Sequence, residues 1–335
     1  MKKPVFVLMI ALLPLFGCDH FKVYTVGNGD DSGNSEEQGS SGGGSQSGDS
    51  FKYEVAATQP SGAVKGYTKD YVVRRSKGAG NYQWMVIETK VAYDSKGRIA
   101  KEEETTTYYK EDDNGNVQQD YVNRSARYRV YDDAAHKIEI RKSSEKPNTA
   151  IFKGDLDANG KLVRMEYGYY DGSSWKGGTV KAFEYAANGL LSKLTYPGQS
   201  SFYPFEFFWN TSDQRINSIR ESDPRASTDP EEDETRNYFY TTDINPTFDS
   251  ALDIASFAAY SPVIGMDYYL PLGKGSKYLV DYANTTYRNE AEKFTYEWDS
   301  GKKRLTHIKL VQKLFPDDAG VMNERQFNYW PEYYD

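Results

Sequence analysis

Asp155, Asp157, Asn159 and Glu166 stand at the first, third, fifth and twelfth places of the run DLDANGKLVRME, with Gly160 at the sixth. Oxygen donors at that spacing, around a glycine that turns the chain, can wrap one calcium ion, which takes roughly six to eight oxygens at 2.3–2.6 Å. A second reading of the same residues is a hairpin corner. The flanks TAIFKG and YGYYDG alternate like strands, and Glu166 would then project from a strand well past the turn. The flanks favour the corner.

A second resource is aromatic. Tyr169, Tyr170 and Trp175 surround the polar turn of YYDGSSW and could form a platform for stacked sugar rings. The same side chains would serve as ordinary cross-strand pairs. The segment NYWPEYYD near Asp335 is another such group.

Other chemistry finds little purchase. His20, His136 and His307 are far apart, and no Cys/His cluster of zinc spacing exists. No G-x-S-x-G elbow appears, and the only cysteine is Cys18. The acidic run TDPEEDETR at 228–236 reads as a solvated loop, with metal binding as the alternative. Paired carboxylates for glycoside hydrolysis could come from distant strands, but a chain with 49 acids makes their presence uninformative. A non-catalytic protein without a cofactor is expected, with calcium in the Asp155–Glu166 loop as the alternative.

The N-terminus gives the address. Lys2 and Lys3 precede an apolar run from Val5 to Phe16, which suits a signal peptide better than a permanent span. The run ends in Leu15-Phe16-Gly17-Cys18, which resembles a bacterial lipobox. Cleavage before Cys18 would free its amino group for acylation, and each buried CH₂ adds roughly 0.8 kcal/mol of membrane affinity. Residues 1–17 are thus read as a lipoprotein signal. Residues 18–50 are read as an anchored tether, since fifteen of the 24 residues from Gly27 to Ser50 are Gly or Ser and none is apolar. Loss of Lys2 and Lys3 leaves 39 basic against 49 acidic side chains, a formal charge of −10, which disfavours nucleic acid as a partner. The expected partners are a membrane, through lipidated Cys18, and a glycan or another envelope protein.

Residues 51–335 form the folded part, with an optional boundary near 225–245. Its dominant period is two, as in YQWMVIETKVAY and FTYEW. Short corners recur: Asp94-Ser-Lys-Gly97, Asp112-Asp-Asn-Gly115, Asp157-Ala-Asn-Gly160 and Ala186-Ala-Asn-Gly189, each followed within two residues by an aliphatic. Looser copies begin at Asp132, Asn210 and Asp299, and an aromatic residue precedes most of them, as Tyr93, Tyr131, Trp209 and Trp298 do. Asp or Asn at a turn's first position bonds forward to the backbone, and Gly supplies the positive φ that closes a hairpin. Asp94 is therefore read as a turn residue. The expected fold is all-β, an antiparallel sheet of consecutive hairpins. Its one short helical insertion should lie in DSALDIASFAAY, capped by Asp249, with Leu252, Ala255 and Ala258 as its apolar stripe.

These corners resemble the tyrosine-aspartate (Rhs-type) repeats of secreted bacterial proteins. The chain is more closely similar to a family of Bacteroidota lipoproteins with a domain of unknown function. That family combines a lipobox, a polar linker and D-x-x-G-[RK]-[IL] hairpins with a late segment like 242–272, matched here at Asn245-Pro246, Leu252-Asp253-Ile254, Gly265 and Leu270-Pro271. The resemblance covers most of residues 85–315 and implies architecture rather than activity. The expected protein is anchored by lipid to the outer membrane, periplasmic or surface-exposed, and binds an extracellular ligand such as a glycan. A purely structural role and a hydrolase are the alternatives. An integral barrel is not expected, given the anchor, the tether and the charged terminal Asp335.

Overall fold

The computed structural model describes residues 51–74, 83–111, 116–199, 202–222, 234–248, 250–264, 270–273, 275–286, 291–316 and 322–335. Its strands are β1 (Val64–Arg74), β2 (Gln83–Tyr93), β3 (Ile99–Glu111), β4 (Val117–Asp132), β5 (Lys137–Arg141), β6 (Ala150–Leu156), β7 (Leu162–Asp171) and β8 (Ser174–Tyr185). They continue as β9 (Leu191–Thr195), β10 (Phe205–Asn210), β11 (Arg215–Glu221), β12 (Glu234–Ile244), β13 (Tyr278–Thr285), β14 (Ala291–Trp298), β15 (Leu305–Pro316) and β16 (Met322–Tyr333). One α-helix, α1 (Ile254–Ile264), lies between β12 and β13.

Every strand pairs antiparallel with its neighbours in sequence, and β16 pairs with β1, so the sheet closes into a barrel. Consecutive hairpins are thus present, and the closure makes the architecture more specific than an open sheet. β11 and β12 pair from Ser218↔Asn237 to Glu221↔Glu234, so these two strands belong to one sheet.

The recurring corners gather at one end. They join β2 to β3, β4 to β5, β6 to β7, β8 to β9, β10 to β11 and β14 to β15. Gly97, Gly160 and Gly189 take φ of 73°, 76° and 78°. Asp94 Oδ1 accepts the N–H groups of Lys96 and Arg98 at 2.9 and 2.8 Å, and Asp157 Oδ1 accepts those of Asn159 and Lys161 at 2.9 and 2.8 Å. The looser corners put His136, Gln214 and Lys302 in the left-handed region instead, at φ of 54°, 55° and 51°. Asp112–Gly115 lies outside the described residues.

The aromatic residue before the corner has a physical role. Tyr93 Oη donates to the Val64 carbonyl at 2.7 Å and Tyr131 Oη to Ile99 at 3.0 Å. Tyr185 Oη donates to Leu162 at 2.7 Å, and Trp209 Nε1 to Leu191 at 2.6 Å. Tyr240 Oη reaches Ile216 and Tyr296 Oη reaches Val280, both at 2.8 Å. In the first four cases the donor ends, or nearly ends, one strand and the acceptor begins the strand before it, whereas Tyr240 and Tyr296 make the same bond from farther inside β12 and β14. A circuit of side-chain latches thereby stitches successive hairpins together. Leu156 holds the equivalent place before the Asp157 corner and offers no donor.

Every strand contributes inward side chains to one apolar cluster, from Tyr67 and Ile138 to Phe294 and Tyr329. Full burial of a side chain such as Phe152 or Ile138 contributes roughly 1.5–3 kcal/mol. Gly154 faces inward where a Cβ would come within 2.7 Å of Leu162, so the core requires the bare backbone there.

Candidate functional site

Between β12 and β13 the chain makes an insertion, Asn245 to Lys277, that plugs the corner end. Phe257 of α1 meets Tyr67 on β1 at 6.3 Å between rings, while Tyr260 packs edge-on against Tyr238 of β12 at 5.2 Å. Beyond the helix, the Pro271 carbonyl accepts the Leu162 N–H of β7 at 2.8 Å. The insertion therefore spans from β1 to β7 across the interior. Leu252, Ala255 and Ala258 are buried, as the apolar stripe requires, and so is Ala259.

The helix cap is Asp253, one residue before Ile254, not Asp249, which lies outside the described residues. Asp253 is 1% exposed. Its Oδ1 accepts the Ser256 N–H at 3.1 Å, the Asn245 side-chain amide at 2.8 Å and the Thr247 hydroxyl at 2.9 Å. Its Oδ2 has no hydrogen-bond partner among the described residues. Burial raises the carboxyl above the usual aspartate range, against the hydrogen bonds that lower it. Beside it, the hydroxyls of Tyr240, Tyr260 and Ser276 lie within 2.6–3.0 Å of one another. Burial raises both tyrosines, Tyr240 to about 12. The network fixes the plug to β11 and β12. Nothing in its geometry presents a nucleophile to solvent. Outside it, Gln214, Ile244, Asn245, Pro246, Phe248, Ser250 and Lys277 line an open recess of about 560 Å³.

Toward the opposite end, the rim, the interior turns polar. Arg129 pairs with Glu102 at 2.6 Å, both almost fully buried, and Arg127 pairs with Glu104 at 3.3 Å. Arg236 pairs with Glu292. Tyr71 stacks on Phe327 at 4.8 Å and Tyr108 on Tyr121 at 4.1 Å. Farther up β4, the inward-facing Tyr121, Asn123 and Ser125 are exposed, so water reaches the lumen from the rim. The rim is stepped, because β4 has 16 residues where β5 and β9 have 5 each.

The outer wall is charged along its height. Lys293 pairs with Asp281 at 2.5 Å, Lys137 with Asp155 at 3.0 Å, and Arg220 with Glu206. Glu88, Lys90, Glu103, Glu184, Glu297 and Lys313 are exposed on the same face. A lipid-facing barrel shows the reverse, apolar outside and polar inside, and each Lys or Arg at mid-bilayer costs about 2–4 kcal/mol. No described helix is long and apolar enough to cross a membrane either, though that says nothing of strands.

The sequence-predicted residues fall as follows. Tyr170 and Trp175 are a directly opposed cross-strand pair, with rings 5.4 Å apart, and Lys153 lies 4.9 and 4.8 Å from their centres. Trp175 also packs over Gly168, where a Cβ would come within 2.5 Å of the indole. Tyr169 projects from the other face of β7 and is 64% exposed. The structure thus brings two of the three together and leaves the third apart. In the second aromatic group, Trp330 stands exposed on the outer wall and stacks on His307 at 5.0 Å.

The four calcium candidates do not converge. Asp157 is occupied by the corner, Asp155 pairs with Lys137, and Glu166 faces Arg164 at 3.6 Å and lies opposite Lys153 in register. Strand geometry carries Glu166 up the wall, away from the turn. Among the described residues no three His, Cys, Asp or Glu side chains group as metal ligands. Cys18 lies outside the described residues. Sequence reasoning missed the Asp253 network, whose one visible signal is an acid inside the otherwise apolar run of Leu252-Asp253-Ile254.

No protein-family model matches the chain, and no curated protein matches it. Among solved structures it is similar to a porin-like protein from Bacteroides uniformis, with a TM-score of 0.53 and 13% identity, over 84% of this chain and 100% of that one. At that identity the likeness concerns the fold alone.

Proposed function

We propose that the chain is a lipid-anchored protein of the outer membrane whose barrel stands in water, periplasmic or surface-exposed, and binds an extracellular ligand such as a glycan without catalysing a reaction. The observation that carries this reading is the charged outer wall around an interior that is apolar and plugged at the corner end. It supports a barrel held beside the bilayer rather than within it. The lipobox at Cys18 supplies the anchor.

The entry of the chain into the fold supports an orientation. Lys52 forms an antiparallel bridge with Tyr131, exchanging backbone hydrogen bonds of 2.9 and 3.2 Å. Phe51 and Lys52 therefore enter the fold beside the 133–136 corner, at the plugged end. The rim then faces away from the anchor and presents the exposed Tyr121 and Tyr169 to ligands. A purely structural role is the second reading. It is favoured by the way Lys153 and Gly168 cover Tyr170 and Trp175.

The test has two parts. Full-length protein should take up labelled palmitate, and Cys18→Ser should abolish the label and leave the protein soluble without detergent. A Cys18→Ser protein that needs detergent, or that conducts ions in a planar bilayer, refutes the reading. In a glycan array, binding lost in Tyr169→Ala or Trp175→Ala supports the ligand, and silence across the array selects the structural role.

A further inference from the structure

The barrel wall is interrupted beside β4. That strand pairs with β3 from Val117 to Tyr128, but with β5 only from Tyr128 to Asp132. Residues 117–127 therefore form an edge with no described partner strand on their second side. The 3₁₀ turn Pro147–Thr149, which leads into β6, lies against β5 and β7.

The backbone direction along this edge follows from one observation. Tyr131 gives its N–H and C=O to Lys52, which lies on the β3 side. Orientation alternates along a strand. Arg129 and Arg127 thus face β3, and Ala126, Arg124 and Val122 point their N–H and C=O groups into the gap. Side chains there are largely exposed on both faces. An edge of this length is a template for another strand unless something guards it.

We infer that the free edge of β4 at Val122–Ala126 is a docking site for an extended acidic segment of a partner protein, added as a further strand. The charge around the gap selects that occupant. Arg124 is exposed and makes no ion pair among the described residues, and Lys142 and Lys146 are exposed on the adjoining loop against the single acid Glu145. Asp120, the nearest acid on β4, is taken by Lys110 at 2.6 Å. A second copy of this chain fits worse. Two β4 edges paired antiparallel about Arg124 would set the two guanidinium groups opposite each other, which is destabilising. An acidic residue across from Arg124 turns that repulsion into attraction, while main-chain bonds supply affinity.

The probe is a fluorescein-labelled (Thr-Glu)₅ peptide, with (Thr-Lys)₅ as its charge-reversed control, titrated with full-length protein by fluorescence anisotropy. The acidic peptide should bind and the basic one should not. Ala126→Pro removes an N–H that points into the gap and leaves the β3 ladder intact, so it should weaken binding at least tenfold with an unchanged near-ultraviolet CD spectrum. Arg124→Glu leaves the backbone alone, should weaken the acidic peptide at least tenfold, and should reverse the preference between the two peptides. Failure of the acidic peptide to bind at millimolar protein would overturn the inference. So would equal binding by both variants, or a dimer in sedimentation that Ala126→Pro abolishes, which would give the edge to a second copy. None of these outcomes bears on lipidation or on the glycan array, so the two proposals fail separately.

Discussion

The latches offer the most direct test of how the barrel holds itself together. Consider Tyr131→Phe. The ring remains and its burial is unchanged; what goes is the hydroxyl that donates to the Ile99 carbonyl at 3.0 Å. A buried hydrogen bond is worth roughly 0.5–1.5 kcal/mol net, and an acceptor left unsatisfied pushes the loss toward the upper end. Tyr93→Phe and Tyr185→Phe each remove a shorter bond of 2.7 Å to Val64 and Leu162. Each single variant should therefore lose about 1 kcal/mol. The three latches have separate partners, so their losses should add to within about 0.5 kcal/mol, giving the triple variant a deficit of about 3 kcal/mol. That is a large part of the ~5–15 kcal/mol on which a native protein stands. Urea unfolding followed by near-ultraviolet CD would read it as a shift in midpoint at constant slope. The molecule carries its own control. Tyr238 is buried, but its hydroxyl has no partner among the described residues. Tyr238→Phe should be neutral or slightly stabilising. If Tyr238→Phe costs as much as Tyr131→Phe, the expense lies in handling a buried tyrosine and not in the latch, and the stitching argument fails.

Asp253→Asn should change the pH dependence of stability. Burial raises this carboxyl in the folded state, so its contribution is full below the unfolded aspartate value and declines as pH rises through the folded one. The wild type should thus lose ground to the asparagine variant from about pH 4 upward in paired thermal melts, and parallel curves would refute the assignment. Gly97→Ala should cost about 1 kcal/mol from its φ of 73° alone, because nothing lies within 4 Å of the added Cβ, whereas His136→Gly at φ 54° should not destabilise by more than a few tenths. Arg129→Met leaves Glu102 buried without its partner and should lose about 3–5 kcal/mol in urea, most of it recovered by adding Glu102→Leu. Millimolar calcium should leave the melting temperature unmoved, and a rise that Glu166→Gln abolishes would restore the calcium loop.

Local chemistry made the hairpins legible. Asp94, Asp157 and Asn188 announce turns because the side chain bonds its own backbone, and Gly97, Gly160 and Gly189 because only glycine turns there without strain. Where the left-handed residue is His136, Gln214 or Lys302, the same corner is nearly invisible, since the sequence shows the cost but not the conformation. Pairing of Tyr with Asp was visible as a pattern and opaque as a cause. The Tyr131 hydroxyl finds its acceptor at Ile99, 32 residues earlier, a distance no local rule spans. The misplaced helix cap has a similar origin. Asp249 and Asp253 offer the same cap chemistry four residues apart, and the choice is made by Asn245 and Thr247, whose side chains converge on Asp253.

Closure is the deeper gap, and it bears on function. A period of two states that a strand has two unlike faces; it does not state which face meets water. In an open sheet the apolar face needs a cover from elsewhere in the chain. In a barrel the same face is either packed against itself or offered to lipid, and the two outcomes share one alternating pattern. Here the deciding residues are the charged ones. Lys293 with Asp281, and Lys137 with Asp155, share an outer face with Glu88 and Lys90, while Phe294, Ile138 and Val91 turn inward from the same strands. Moving that wall into a bilayer would bury several of these charges at about 2–4 kcal/mol for each Lys or Arg near mid-plane. A closed barrel and a charged outer wall therefore coexist in one chain. Of the two, it is the charge, written in which side of each strand carries it, that supports the proposal of a barrel standing in water.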